Sequence, residues 1–303
     1  MSPRAALDFG FVAVITIVTL FGALLPRWCF GNGDRLSPTG SMLFHLGNML
    51  AAGAILGTAF CDLLPEAVEL LPFEDYPMAL CLSGVGYILT LLMEVVITSL
   101  SDGRGQGKTI NSSLASIEKG LEGLKNNDEP LLGQLEAGQG KEIEEEHHCT
   151  PEPPKVTFVA AVILSVALSY HSVMAGAAIG AQKNLVVAKE VMLAVLGHKG
   201  LEAYALGTSL VESRTSGAKF WVIVMTYCFT LPCGVLAGFF MADLSEAPVA
   251  GVLSALSAGT FFFVSFNEII PTEMLEPCHR LKKLFSLVVG FGSMAVLPIF
   301  VRG

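Results

Sequence analysis

Residues 170–176 read YHSVMAG and residues 197–203 read GHKGLEA, two polar motifs inside consecutive apolar segments. Each motif is followed by an apolar residue and a glycine, Ile179-Gly180 after the first and Leu206-Gly207 after the second. Ionisable side chains are costly in the hydrocarbon core of a membrane and are retained there mostly for function. Two histidines and a glutamate at corresponding depths therefore predict a pathway for metal ions through a membrane.

The composition is that of an integral membrane protein. Of the 303 residues, 52% are hydrophobic and 15% are charged, with a mean hydropathy of +0.62, whereas soluble domains carry about 25% charged residues. The net charge of -9 comes with no basic stripe, which argues against a nucleic-acid partner. The 7 cysteines are scattered, several of them in apolar segments, and we expect buried thiols and not a disulfide framework.

Eight apolar stretches are long enough, or nearly so, to cross a hydrocarbon core of about 30 Å, which takes about 20 helical residues. They predict an all-α integral membrane fold with eight transmembrane helices. The stretches are Phe9–Leu25, Met42–Leu64, Met78–Leu100, Val156–Ala181, Leu185–Leu210, Phe220–Met241, Val249–Ile270 and Leu284–Phe300. The first could instead be a signal peptide, but it ends at Pro26-Arg27 without a convincing cleavage site, so we assign it as helix 1.

The distribution of lysine and arginine predicts how the helices are oriented. With the N-terminus outside, the inside segments hold thirteen of the 18 Lys and Arg residues and the outside segments hold four, with Lys199 inside a helix. Because basic residues favour the cytosolic side, we expect both termini outside, or in the lumen of an organelle. The plasma membrane is favoured over an organelle membrane. The chain then divides into helices 1–3 (residues 1–100), a cytosolic loop (101–155) and helices 4–8 (156–303).

The cytosolic loop is polar and glycine-rich, and we expect it to be disordered. Its acidic run ends in EEEHHC at residues 144–149. The side chains of His147, His148 and Cys149 either bind metal transiently, as a sensor, or belong to a solvated acidic run.

Two further segments match each other at an offset of 206 residues. Residues 53–66 read GAILGTAFCDLLPE and residues 259–272 read GTFFFVSFNEIIPT, so that Asp62 pairs with Glu268. Since helices 2 and 7 run in opposite directions, this is an inverted repeat, and helices 4 and 5 form a second inverted pair. Such repeats around polar sites are typical of secondary transporters; chance similarity between apolar helices is the alternative. Asp62 and Glu268 are either pathway acids or structural partners of the prolines that follow them.

The segments HSVMAGAAIGAQ (171–182) and HKGLEAYALGTSL (198–210) resemble the ZIP family of divalent-metal transporters. The segments DLLPE (62–66) and EIIP (268–271) are similar to that family as well, as is the order of eight helices with a long loop after helix 3. The resemblance implies a bundle in which helices 4 and 5 present metal ligands in the middle of the membrane.

The chemistry of the two motifs agrees with that implication. Residues at i and i+4 share one face of a helix, so His198 and Glu202 can point into the same cavity. His171 from the neighbouring helix can complete a set of two nitrogen ligands and one oxygen ligand, which suits zinc, iron(II) and similar ions. Ser172 either belongs to the ligands or pathway, or bonds to a carbonyl of its own helix.

The sequence departs from the family at two positions of the implied site. Ala175 stands where many members carry a glutamate, which leaves His171, His198 and Glu202 as the primary ligands. Lys199 stands where many members carry a second carboxylate or an amide. A protonated lysine is a poor ligand, and we expect it to take the place of a second ion and pair with Glu202 or another acid. Extension of this side chain towards the membrane interface is the alternative.

Together these features predict a transporter that moves a divalent cation into the cytosol. Zn2+ is favoured over Fe2+ and Mn2+ as the ion, which is the substrate, and no further cofactor is expected. An intramembrane zinc-dependent hydrolase is one alternative. It needs an open coordination position and a general base, and the sequence has no His-Glu-x-x-His motif, so an enzyme is not expected. A metal-sensing receptor is another. The expected partners are divalent ions and the lipid bilayer, and the question of a homodimer stays open.

Overall fold

The computed structural model describes residues 3–31, 38–71, 76–99, 156–182, 185–241, 247–275 and 279–302. Within these ranges the backbone is helical apart from short connections, and no strand is present, which confirms the all-α fold. Eight helices, numbered α1 to α8, correspond one to one to the predicted spans. Their bounds are α1 Pro3–Phe30, α2 38–70, α3 Met78–Ser99, α4 Phe158–Ala181, α5 Leu185–Glu212, α6 Gly217–Met241, α7 247–275 and α8 Arg280–Arg302.

Seven of these described helices are long and apolar enough to cross a membrane. The remaining one, α5, has 28 residues, which suffices for a span, but it contains Lys199 and Glu202 among other charged residues. Its second half is enclosed by the rest of the bundle, since every residue from 202 to 211 is buried. Charged groups inside a membrane protein usually face the bundle interior, and α5 follows that rule.

Among the helix ends that differ from the sequence prediction, the start of α4 and the end of α1 are informative. Thr157 caps α4, because its hydroxyl accepts a hydrogen bond of 3.2 Å from the amide of Ala160, so the helix begins at Phe158. At the other difference, α1 continues through Pro26 to Phe30. Proline cannot donate to the carbonyl four residues earlier, so α1 continues here with one helical hydrogen bond fewer, the bond to residue 22.

Close helix pairs hold the middle of the bundle together, and glycines make the close approach possible. A Cβ at Gly180 of α4 would collide with the main-chain carbonyl of Val235 on α6. In the same way, a Cβ at Gly207 of α5 would collide with the carbonyl of Ala23 on α1. Small residues let helices pack through their backbones in a membrane, where burial of apolar side chains gives no net gain. The pairs α4–α6 and α5–α1 therefore fix the two helices that carry the polar motifs.

The pattern of helix pairs agrees with the predicted inverted repeat. Gly53 of α2 packs against the carbonyl of Leu287 on α8, and its counterpart Gly259 of α7 packs against the carbonyl of Ser83 on α3. The helix pair α2–α8 therefore corresponds to the pair α7–α3. In the same way, the pair α5–α1 corresponds to the pair α4–α6. The repeat that was predicted from two short segments extends to the packing of all eight described helices.

The two helices that carry the repeated segments, α2 and α7, contain a widened turn at matching positions. Ala59–Leu63 in α2 and Val264–Ile269 in α7 form π-helical segments. In each, the last hydrogen bond of the wide turn comes just before a proline: Leu64 donates to Ala59 ahead of Pro65, and Ile270 donates to Ser265 ahead of Pro271. The extra residue gives the proline ring room against the preceding turn, and such turns occur frequently at functional sites.

The described residues do not test the predicted division of the chain. Contacts group residues 1–94 with 152–303 as one unit and residues 95–151 as another. Of the second unit, the structure describes residues 95–99, the end of α3. The predicted loop 101–155, with His147, His148 and Cys149, lies outside the described residues, so its disorder and its role as a sensor stay predictions.

Candidate metal site

The two polar motifs meet at one buried point between α4 and α5. His171, His198 and Glu202 are 1%, 2% and 0% exposed. Oε1 of Glu202 lies 3.2 Å from Nε2 of His198 and 3.6 Å from Nε2 of His171. Ligand atoms about 2.0–2.1 Å from a tetrahedral zinc ion are separated by roughly 3.3 Å. The three side chains thus lie at spacings close to those that one zinc ion requires.

Several polar atoms of this cluster are buried without a hydrogen bond from the rest of the described chain. They are Oε1 of Glu202, Nε2 of His198 and Nδ1 of His171. The great majority of buried polar side-chain atoms in native proteins have a partner, so this concentration at one point is unusual. A carboxylate oxygen and an imidazole nitrogen that face each other without a hydrogen bond are suited to a shared cation.

The two oxygens of the Glu202 carboxylate have different environments. Oε1 faces the histidines, whereas Oε2 accepts hydrogen bonds from Nζ of Lys199 at 2.8 Å and from the hydroxyl of Tyr227 at 2.9 Å. Lys199 is 1% exposed, and its ammonium also lies 4.6 Å from the centre of the Tyr227 ring. The lysine is therefore an internal partner of Glu202, and it does not extend to the membrane interface.

Ser172 lies next to the cluster but is engaged with other groups. Its hydroxyl donates to the carbonyl of Leu168 at 2.6 Å and accepts a short hydrogen bond from Nζ of Lys199. Of the two roles that the sequence left open, the bond to its own helix is present here. Ser172 thereby positions the ammonium of Lys199 next to Glu202.

Two residues at the site could not be identified from the motifs. Tyr227 comes from α6, and Phe261 comes from α7, where its ring lies 3.9 Å from the ring of His171, centroid to centroid, at an angle of 37°. A tyrosine in the middle of an apolar helix is a signal that could have pointed to Tyr227, because a buried hydroxyl needs a partner. Phe261 carries no such signal among the many phenylalanines of the chain.

The two acids of the matching segments, Asp62 and Glu268, lie outside the central cluster. Asp62 and Glu268 are half-buried and belong to the two π-helical segments. Glu268 lines a pocket of about 100 Å³. The other polar residues of its wall are Asn48, Thr157, Ser209, Glu212 and Thr272. A role of Glu268 in an ion pathway is compatible with this position.

Comparison with known proteins identifies the family. Residues 6–298 match the family model described as ZIP Zinc transporter. This chain belongs to the ZIP family. The zinc transporter ZIP1 of Mus musculus is 28% identical to it over 97% of this chain and 90% of the relative. The probable zinc transporter 12 of Arabidopsis thaliana is 27% identical over 98% and 87%, and the zinc transporter ZIP2 of Homo sapiens is 25% identical over 86% of each.

The family assignment confirms the resemblance and the transport function. This ZIP chain is a multi-pass membrane transporter of divalent metal ions, and zinc is the best-supported substrate. The hydrolase alternative is wrong, because the relatives are transporters and not enzymes. The departure at Ala175 also has a structural counterpart. Ala175 packs against an apolar cluster that includes Ile179 and Leu231, where a carboxylate would be costly.

Proposed function

We propose that this ZIP transporter carries Zn2+ through a site made by His171, His198 and Glu202, and that it carries the ion towards the cytosol. The observation that supports this most strongly is the convergence of the three ligand atoms, all within 4.8 Å of one another, at a buried point between the two motif helices. Two imidazoles and one carboxylate are ligands that zinc prefers, and iron(II) and manganese(II) accept them as well.

In this proposal Lys199 keeps the empty site neutral. The ammonium balances the charge of Glu202 through Oε2, while Oε1 stays available for the ion. Leaving a carboxylate buried without a partner costs several kcal/mol, so a site with a tethered cation tolerates the absence of cargo. The same ammonium repels a second ion, and we infer that one ion at a time occupies the centre of the bundle.

The direction of transport follows from the orientation predicted by the basic residues. Both termini are then outside, in the plasma membrane, and the ion enters from the end of the bundle at which α2 ends and α7 begins. It sheds water for the histidines and Glu202, and it leaves towards the end at which α5 and α7 finish. Asp62 and Glu268 would then lie on opposite sides of the central site, one in each π-helical segment.

Uptake of radiolabelled Zn2+ into proteoliposomes tests the proposal. The proteins to compare are the wild type, His198→Ala, Glu202→Ala and the control Glu69→Ala, whose side chain is exposed at the end of α2. We expect saturable uptake that is lost in the first two variants and retained in the control. Retained uptake in His198→Ala and Glu202→Ala would place the site elsewhere, and competition by Fe2+ and Mn2+ would rank the ions.

A further inference from the structure

A second group of metal-ligating side chains lies where three helices end or begin. His45 is near the start of α2, Glu212 is the last residue of α5, and Glu273 is near the end of α7. One ligand atom from each lies within 4.8 Å of the others. Nitrogen and carboxylate oxygen are ligands for zinc, iron(II) and manganese(II). This group shares no residue with the central site.

Glu273 is the centre of this group. Its side chain is buried, and Nδ1 of His45 is hydrogen-bonded to it, 3.0 Å from Oε2 and 3.2 Å from Oε1. These separations are close to the roughly 3.3 Å expected for two ligands of one zinc ion in place of the shared proton. Asn48 donates to Oε1 at 2.8 Å. Lys283 lies 3.2 Å from Oε2 and also donates to the main-chain carbonyl of Glu273 at 2.8 Å, so this ammonium stays anchored when the carboxylate turns towards an ion.

A pocket lies along α5 between the level of the central site and this group. The pocket of about 100 Å³ is lined along α5 by Ala205, Ser209 and Glu212, so its wall extends from the third residue after Glu202 to one ligand of the second group. Ten residues of helix separate Glu202 from Glu212, about 15 Å at 1.5 Å per residue. Asn48 belongs both to the pocket wall and to the partners of Glu273.

The charges of the two groups differ in a way that favours transfer. At the central site Glu202 and Lys199 cancel each other. In the second group, the carboxylates of Glu212 and Glu273 together with the ammonium of Lys283 carry one net negative charge. Opposite charges attract strongly where water is scarce, so a cation that has left the central site is attracted to the second group.

We propose that His45, Glu212 and Glu273 form a second divalent-cation site, which receives the ion as it leaves the central site. The role as an exit site rests on the proposed function and its direction, whereas the binding of an ion by these three residues does not. Two partly exposed ligands, His45 and Glu212, and a nearby ammonium suit a site that releases the ion to the surrounding solution.

Zinc stoichiometry measured by equilibrium dialysis of the purified full-length protein with radiolabelled Zn2+ tests the binding. His45→Ala and Glu212→Gln remove half-buried ligands and leave the buried network of Glu273, Asn48 and Lys283 in place. We expect each variant to bind one zinc ion fewer than the wild type, while the control Glu69→Gln, an exposed acid on α2, binds as many as the wild type. Elution in size-exclusion chromatography checks that all variants are folded.

Two results would overturn the second site. If His45→Ala and Glu212→Gln bind as many ions as the wild type, the group is a structural polar network. If Glu69→Gln loses an ion as well, binding follows acidic charge in general. Failure of the proposed function gives a different result. Vesicles with the wild-type protein would then show no zinc uptake, while dialysis would still show that His45→Ala binds one ion fewer than the wild type.

Discussion

At the scale of single residues, the Glu202 carboxylate has two distinct roles. One oxygen is held by Lys199 and Tyr227, and the other faces the two histidines. The sequence predicts the histidines and Glu202 because their spacing places them on facing sides of adjacent helices. It cannot predict Tyr227 or Phe261, because these come from α6 and α7, whose position next to the motifs depends on the packing of the whole bundle.

Replacement of the internal cation tests its role as counter-charge to Glu202. In Lys199→Met the carboxylate loses the ammonium and stays buried, so we expect the free energy of unfolding without zinc to fall by about 3–5 kcal/mol. Zn2+ should restore much of the loss, since it supplies positive charge to Glu202. Thermal unfolding of the purified protein with a chelator and with Zn2+ measures both effects. Lys189→Met, at an exposed position of the same helix, is the control, and equal stability of both variants would contradict the assigned role.

At the scale of helices, two features distinguish this bundle from a set of regular apolar helices: helix contacts through glycines, and π-helical turns. The apolar runs predict all eight spans, because a membrane demands about 20 apolar residues whatever the fold. They do not predict the π-helical segments, which arise where Pro65 and Pro271 would otherwise crowd the preceding turn. The matching prolines of the repeat were visible in the sequence, but their effect on hydrogen bonding depends on the local backbone.

Substitution of glycine by alanine should change stability differently at a glycine in close helix contact and at a glycine without neighbours. A Cβ at Gly180 would collide with the carbonyl of Val235 and lie 2.9 Å from the amide nitrogen of Phe239, whereas a Cβ at Gly84 of α3 meets nothing within 4 Å. We expect Gly180→Ala to lower the free energy of unfolding by about 1–3 kcal/mol through overpacking. Gly84→Ala should leave it unchanged or raise it slightly, since alanine favours helix.

Thermal unfolding and zinc uptake of the two glycine variants check this expectation. Uptake should fall in Gly180→Ala, because α4 carries His171 and must shift relative to α6 to make room. If Gly180→Ala is as stable as Gly84→Ala, the close approach of α4 and α6 is not as the structure has it.

At the scale of the whole molecule, eight spans place both termini on one side of the membrane. The distribution of basic residues predicts that this side is the outside and that the loop of residues 101–155 lies in the cytosol. This orientation depends on the charges of the connecting segments, because helix packing is independent of which end of the bundle faces the cytosol. The sequence is more informative than the structure on this point, and the reverse holds for helix packing.

Epitope tags at the two termini and within residues 101–155 test the orientation. In intact cells that express the protein at their surface, antibodies should reach both terminal tags, and they should reach the loop tag only after the membrane is permeabilised. Access to the loop tag in intact cells would reverse the topology and, with it, the proposed direction of transport. A terminal tag on each side would contradict the count of eight spans.

The tethered ammonium of Lys199 also has an electrical consequence. In the proposed site Glu202 and Lys199 cancel each other, so the empty centre of the bundle would be neutral and Zn2+ bound there would add two positive charges. A membrane potential does work of about 2.3 kcal/mol per elementary charge per 100 mV. A cell interior that is negative would therefore favour inward movement of an ion bound at this proposed site, whereas the empty site would add no net charge of its own.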